Sequence, residues 1–394
     1  MKAITQRVAN VPESATIATT ERALRMMSEG LDIIDLSAGR AADPVPDYIL
    51  AAARETMKTA FKSTPGQGTM ELRKAAADYI TSRYGIPADP KTEIMATFGV
   101  KQILNLLIPG LMEAGESMII EDPCFVSYRP LAQLWGSRVI PVPLLEKNNF
   151  RWTEEQLEQA VQPDTKAIML CSPHNPTGVV HSMSDLEAIA NVAKKHDLWV
   201  IADEIYEWTI WGDNKYISIA TLPGMRERTI SLVGLGKAFV MGAWRIGFVF
   251  APPQIIAMLT KLLQHTISCV PAPLQAGATA ALTGEPQPAM KAIWKEWEER
   301  CRYMTSELDT MPGISCRMPD SGYYAWPNIA GTGLDSRTFV DRLLKEHHVA
   351  VLAGTAFGAA GEGYLRISIV REKENLEKAL PRIRALAEAC VAGK

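Results

Sequence analysis

From about residue 90 onward, the chain alternates short apolar runs that end in small or polar residues with longer stretches whose apolar residues recur at helical spacing. The runs are Glu93 to Ala96, Ser117 to Glu121, Val139 to Val142, Ala167 to Cys171, Leu198 to Ala202, Thr229 to Val233 and Gly247 to Ala251. Between them, stretches such as Ser182 to His196 and Pro253 to His265 read as helices. Strands in this alternation need crossover helices, so the pattern predicts an α/β fold with a mainly parallel sheet covered on both faces. After about residue 285 the pattern changes to a long charged helix from Ala289 to Asp309, strands at Gly322 to Trp326 and Tyr364 to Ile369, and a last helix from Glu372 to Val391. The expected organisation is a three-layer α/β/α large domain over 46–285 and a smaller α+β domain over 286–394. Residues 1–45 are expected to form an arm and part of the small domain.

Length and composition narrow the function classes. A chain of 394 residues can hold two or three domains. With 47% hydrophobic and 22% charged residues it matches neither a disordered chain nor a coiled coil. Lys plus Arg (41) nearly balance Asp plus Glu (44), which leaves no basic footprint for nucleic acid. The six cysteines are dispersed without a CxxC pair and the histidines lack ligand spacing, so reduced thiols and no metal site are expected. The stretch from Met1 to Ser14 is too polar for a signal peptide, and no apolar run approaches the roughly 18 residues of a membrane span. A cytoplasmic protein without a membrane partner is the expectation.

In open α/β sheets ligands bind beyond the carboxyl ends of the strands, so the residues that close each run carry the information. One run closes in Ser172-Pro173-His174-Asn175-Pro176-Thr177-Gly178, another in Asp203-Glu204-Ile205-Tyr206, a third in Gly234-Leu235-Gly236-Lys237. Singly, each has an ordinary explanation: Asn-Pro and Thr-Gly make turns, Asp203 could cap a helix, and Arg245 could sit on Trp244. Together they supply what pyridoxal phosphate requires. That cofactor needs a lysine for a Schiff base, a carboxylate at its pyridine nitrogen, donors at its phenolate oxygen, and cations or helix N-terminal amides for its phosphate.

With these motifs the chain resembles the fold-type I pyridoxal-phosphate enzymes of the class I/II aminotransferase family, from about Leu36 to about Leu386. The strongest stretches are Ser172 to Val179, Ile201 to Tyr206, Gly236 to Phe248 and Phe357 to Ser368. The resemblance implies that Lys237 forms the Schiff base and, once displaced, shuttles the substrate proton. It implies Asp203 at the pyridine nitrogen, Asn175 and Tyr206 at the phenolate oxygen, and Phe125 stacked on the ring. Arg245 and the backbone of Gly99, Val100 and Lys101 would hold the phosphate. Arg366 would clamp the substrate α-carboxylate in a bidentate fork, with Gly39 offering a backbone amide and Asn175 also touching substrate. A homodimer acting on an amino acid and a 2-oxo acid is implied as well.

Several positions depart from the family pattern. Gly39-Arg40-Ala41 stands where Gly-Glu-Pro is usual, Ser63 where many members carry a tyrosine reaching the partner subunit's phosphate, Gly234 at a frequent phosphate-binding serine, and Ala353 at a common proline. Transamination is the expected reaction. Elimination, replacement, cyclisation or oxidation on the same fold would use the same cofactor residues and is the alternative. An effector domain of a transcriptional regulator would need a basic winged-helix module, and only about 45 residues precede this fold. A P-loop reading of Gly236-Lys237 fails at Ser231 and Ala238. Lys101 and Arg40 are cations that could meet a distal carboxylate, which would favour aspartate- or glutamate-like substrates; the alternative is that Lys101 serves the phosphate alone.

Overall fold

The first strand in the chain, β1 (Ile34–Asp35), lies outside the main sheet. The next seven, β2 (Ile94–Thr97), β3 (Ser117–Asp122), β4 (Arg138–Pro143), β5 (Thr165–Cys171), β6 (Trp199–Asp203), β7 (Thr229–Gly234) and β8 (Gly247–Phe250), form one sheet of order β2-β8-β7-β6-β5-β3-β4. They are the seven apolar runs of the sequence, each within two residues at either end. This computed structural model of the chain describes residues 4–59 and 63–393. Residues 1–3, part of the polar N-terminal stretch weighed above as a leader, lie outside the described residues, as do 60–62 and 394.

Pairing is parallel from β4 through β3, β5, β6 and β7, while β8 runs antiparallel to both of its neighbours, β7 and β2. Both faces are covered, which is why the interior strands are apolar at nearly every position rather than at alternate ones. Met118 and Ile120 of β3 pack with the helices Val100–Leu111 and Pro253–Gln264. Ile119 between them points the other way, into a core with Leu186 and Ile189 of the helix Met183–Lys195. That helix starts where the sequence can start one: Ser182 accepts from the Asp185 amide and the Asp185 carboxylate accepts from the Ser182 amide. The edge strand β4 carries Pro141 and Pro143, residues that a central strand could not accommodate without losing ladder hydrogen bonds.

The remaining strands are β9 (Tyr324–Ala325), β10 (Val349–Ala350), β11 (Leu352–Ala353) and β12 (Leu365–Ser368). β12 lies between β11 and β9, antiparallel to both, and β1 pairs parallel with β10. The helix Ala15–Ser28 lies on the same end of the molecule, its Ala23 packing with Ile33, Leu344 and Ala350. Long helices Pro288–Asp309 and Lys373–Ala392 cover this region, the first with proline in its opening turn, where a missing N–H costs nothing. No helix among the described residues is long and apolar enough to cross a membrane.

Candidate active site

Register in the sheet aligns the chemistry. Cys171 of β5 is the direct partner of Asp203 of β6, so these two strands finish level, while β7, whose Leu232 pairs with Asp203, runs two residues further to Gly234. Beyond them opens a cavity of about 460 Å³. Every residue that the sequence reading put forward lines it: Gly39, Gly99, Val100, Lys101, Phe125, Asn175, Asp203, Tyr206, Lys237, Arg245 and Arg366. Asp203 ends β6, the connections next to the main sheet's strands provide most of the others, Arg366 comes from β12, and Gly39 comes from the segment after β1.

Lys237 sits on a single helical turn, Leu235–Ala238, directly after β7, and its Nζ donates to the Gly39 carbonyl oxygen at 3.0 Å. Asp203 is buried; its Oδ2 accepts from the Tyr128 hydroxyl at 2.7 Å, while Oδ1 has no partner among the described residues. Burial lifts its carboxyl to about 6, against the opposing effects of Tyr128, the Ile205 amide and the charge of Lys237. A buried carboxylate with one free oxygen is suited to a cationic N–H partner, which a protonated pyridine nitrogen provides. The buried Tyr206 hydroxyl is also unpartnered, and burial raises it well above the usual phenol range, so it stays a donor.

The same cavity also holds an anion cradle. Gly99, at φ +76°, caps the helix Val100–Leu111, whose first amides face the cavity region. The positive φ is what favours glycine at Gly99; a Cβ there would only crowd the Arg245 guanidinium, at 3.3 Å from Nη2. Arg245 itself adopts φ +55°, an uncommon conformation for a side-chain-bearing residue. Lys101 lies 5.6 Å from the Phe125 ring centroid, and desolvation, then repulsion from Arg245 and Lys237, lowers its ammonium. Five cations in the lining, Arg40, Lys101, Lys237, Arg245 and Arg366, against one carboxylate, Asp203, favour an anionic ligand there.

Arg366 is buried and donates from Nη1 to Asn175 Oδ1 at 3.2 Å and from Nη2 to the Ser37 carbonyl at 3.0 Å, leaving Nε unpartnered. Its guanidinium lies over the rings of Tyr324 (4.1 Å) and Phe357 (4.7 Å), which fixes its plane. The residues present therefore fit pyridoxal phosphate: a lysine, a carboxylate with a free oxygen, a free phenol and an anion cradle around one cavity.

Sequence reasoning missed Tyr324, Tyr128 and the N-terminal residues Ser14, Thr16 and Ile17; Tyr128 supports Asp203 from behind, and the others line the cavity. Tyr324 had a usable signal. It is the register partner of Ser368, two residues from Arg366, so alternation along β12 puts Tyr324 and Arg366 on one face. The departures also find their places. Ser63 is exposed, Arg40 lines the cavity, and Ala353 pairs with Leu365 in β11. A Cβ on Gly234 would meet Ile205 Cγ2 at 2.8 Å, so Ile205 excludes serine from that position unless it moves.

Buried carboxylates continue behind the site. Glu204 accepts from Tyr84 (3.0 Å) and Ser218 (2.6 Å), and Glu207 accepts from Tyr79 and lies 3.8 Å from Arg83. Burial first, then repulsion from Glu204, lifts Glu207 to about 8.

A profile described as "Aminotransferase class I and II" matches residues 31–383. An aromatic-amino-acid aminotransferase 2 of Thermococcus litoralis is 37% identical over 92% of this chain and 94% of its own. An aspartate aminotransferase of Pyrococcus abyssi is 39% identical over 89% of this chain and 91% of its own. Among solved structures, the aspartate aminotransferase from Thermus thermophilus with maleate superposes with a TM-score of 0.92 at 31% identity, covering 98% of this chain and all of that one. The chain belongs to the class I and II aminotransferases. It is a fold-type I, pyridoxal-phosphate-dependent enzyme that moves an amino group between an amino acid and a 2-oxo acid.

Proposed function

We propose that Lys237 is the lysine that carries pyridoxal phosphate and that the substrate α-carboxylate docks on Arg366. The observation that carries this reading is the single cavity on which Lys237, the free Asp203 Oδ1, the free Tyr206 hydroxyl and Arg366 converge. Asp203 would hold the ring nitrogen, Tyr206 and Asn175 the phenolate oxygen, Phe125 a ring face, and Arg245 with the amides after Gly99 the phosphate. Once bound, pyridoxal phosphate supplies the electron sink that lets the α-hydrogen leave as a proton. Lys237 Nζ would accept that proton and later give it up, a role that needs a neutral amine first and an ammonium second. Arg366, held flat by Asn175, the Ser37 carbonyl and two rings, fixes the α-carbon within reach of Lys237 by gripping the carboxylate with two parallel N–H bonds.

We infer a dicarboxylic amino acid as one substrate. Arg40 and Lys101 stand in the lining, and the Ser14 hydroxyl, without a partner among the described residues, stands there too. Both the name of the Pyrococcus relative and the maleate of the Thermus structure are consistent with this. The reading extends to a cytoplasmic homodimer without a membrane partner, with 46–285 as the cofactor domain and the two flanking segments as the second. Purified protein with cofactor should absorb in the aldehyde-lysine band, lose it in Lys237→Ala, and exchange amino groups between aspartate or glutamate and a 2-oxo acid. Ammonia, an alkene or a cyclised product in place of a 2-oxo acid would overturn the reaction, and sedimentation as a fully active monomer would overturn the dimer.

A further inference from the structure

Asp122 is a buried carboxylate, 4% exposed, at the last position of β3, and it does not line the cavity. Its Oδ1 accepts from the Ala360 amide at 3.2 Å, in a single turn of 3-10 helix, Ala359–Gly361, on the segment that leads into β12. Two residues on, the Cys124 amide donates to the Phe357 carbonyl oxygen at 2.8 Å. The end of β3 thus grips residues 357–360 at two points. Gly358, between those points, has φ +145°, and a Cβ on it would stand 2.7 Å from Asp122 Cγ and nearer still to Oδ1, so the carboxylate lies directly on the glycine. What the gripped segment carries is Phe357. Its buried ring meets Trp326 edge-on at 5.7 Å between centroids, and the Arg366 guanidinium carbon lies 4.7 Å from its own centroid. Phe125, the residue after Cys124, lines the cavity. One strand end therefore supports both a cavity wall and, through Phe357, the guanidinium.

We propose that Asp122 is a positioning residue for Arg366: by holding the Ala360 amide it seats Phe357 against the guanidinium and sets the plane in which Arg366 meets the substrate carboxylate. One contact, from Cys124, leaves the segment a pivot; the second, from Asp122, fixes its orientation. A carboxylate that accepts a backbone N–H makes a charge-assisted bond, and burial keeps water from replacing it. Loss of that bond frees the ring, and a fork that grips with two parallel N–H bonds tolerates little tilt. The proposal rests on the assignment of Arg366 as the clamp for the α-carboxylate.

Steady-state kinetics of the loaded enzyme, together with calorimetric binding of maleate, test it. Asp122→Ala should raise KM for both the amino acid and the 2-oxo acid by about tenfold while kcat stays within about twofold, and should weaken maleate by about the same tenfold factor. Asp122→Asn keeps an acceptor for the Ala360 amide and should return KM to within about threefold of wild type. In an Arg366→Lys background Asp122→Ala should add little, because the plane it serves is gone. A purely structural Asp122 would lower Tm and leave KM and maleate binding unchanged; that result, or an Asp122→Ala effect that persists in full beside Arg366→Lys, overturns the proposal. If Asp122→Ala fails to fold, Gly358→Ala, which presses on the same contact from the other side, should give the same rise in KM, and an unmoved KM there overturns the proposal equally. The two readings fail separately. An Arg366→Lys enzyme with unchanged KM and maleate binding refutes the clamp and this inference with it, whereas a raised KM in Arg366→Lys beside an unchanged one in Asp122→Ala refutes this inference alone.

Discussion

Replacing Gly39 with alanine should damage both stability and catalysis. The added Cβ would stand 1.7 Å from the Tyr324 hydroxyl oxygen, 2.6 Å from Cζ and 3.0 Å from Cε1, all far inside contact distance. Tyr324 has little room to yield, since Tyr206, Tyr323 and the Arg366 guanidinium pack around its ring. Either the ring or the Gly39 backbone must therefore move, and overpacking of this kind costs roughly 1–3 kcal/mol. Spread over the unfolding entropy of a chain this long, that is a fall in Tm of about 1–4 °C. Catalysis should suffer more, because the Gly39 carbonyl seats Lys237 and the displaced ring lies under Arg366. Tyr324→Ala should relieve the stability defect, so a double-mutant cycle followed by thermal unfolding should give a coupling of about 1–3 kcal/mol. A Gly39→Ala enzyme with unchanged Tm and kcat/KM, or strictly additive single and double variants, would refute the packing argument.

Other residues give independent tests. Tyr128→Phe removes the 2.7 Å bond that favours the ionised Asp203, so the Asp203 carboxyl should rise further above about 6, and cofactor reconstitution followed by absorbance should weaken by about tenfold at neutral pH. Arg366→Lys keeps the charge but loses the planar fork and its seat on two rings; steady-state kinetics should show KM for the amino acid rising by about 10- to 100-fold with less effect on cofactor binding. Glu207 is raised from 4.5 to about 8 in the folded protein, so the folded state holds its proton where the unfolded state has released it. Stability should consequently fall as pH rises through that window, by an amount on the order of 4 kcal/mol, and Glu207→Gln should flatten the decline in denaturant titrations taken at several pH values.

The sequence alone determined where the strands lie, because burial on both faces leaves uninterrupted apolar runs that stand out from helical spacing in any context. It also exposed Asn175, Asp203 and Lys237, since residues that close such runs have no structural need to be an amide, a carboxylate and a lysine at once. Strand direction was not legible: β8 is as apolar as the parallel strands of the sheet, and its antiparallel course shows only in its pairing with β7 and β2. Nor was the contact of Tyr324 with Gly39 and Arg366: Gly39 lies almost three hundred residues before Tyr324, and the three meet where β9 and β12 pair beside the chain leaving β1. Local pattern records which face a residue occupies. The pKa of Asp203, the plane of Arg366 and the contact between Tyr324 and Gly39 are set by what packs against that face, and only the tertiary structure decides it.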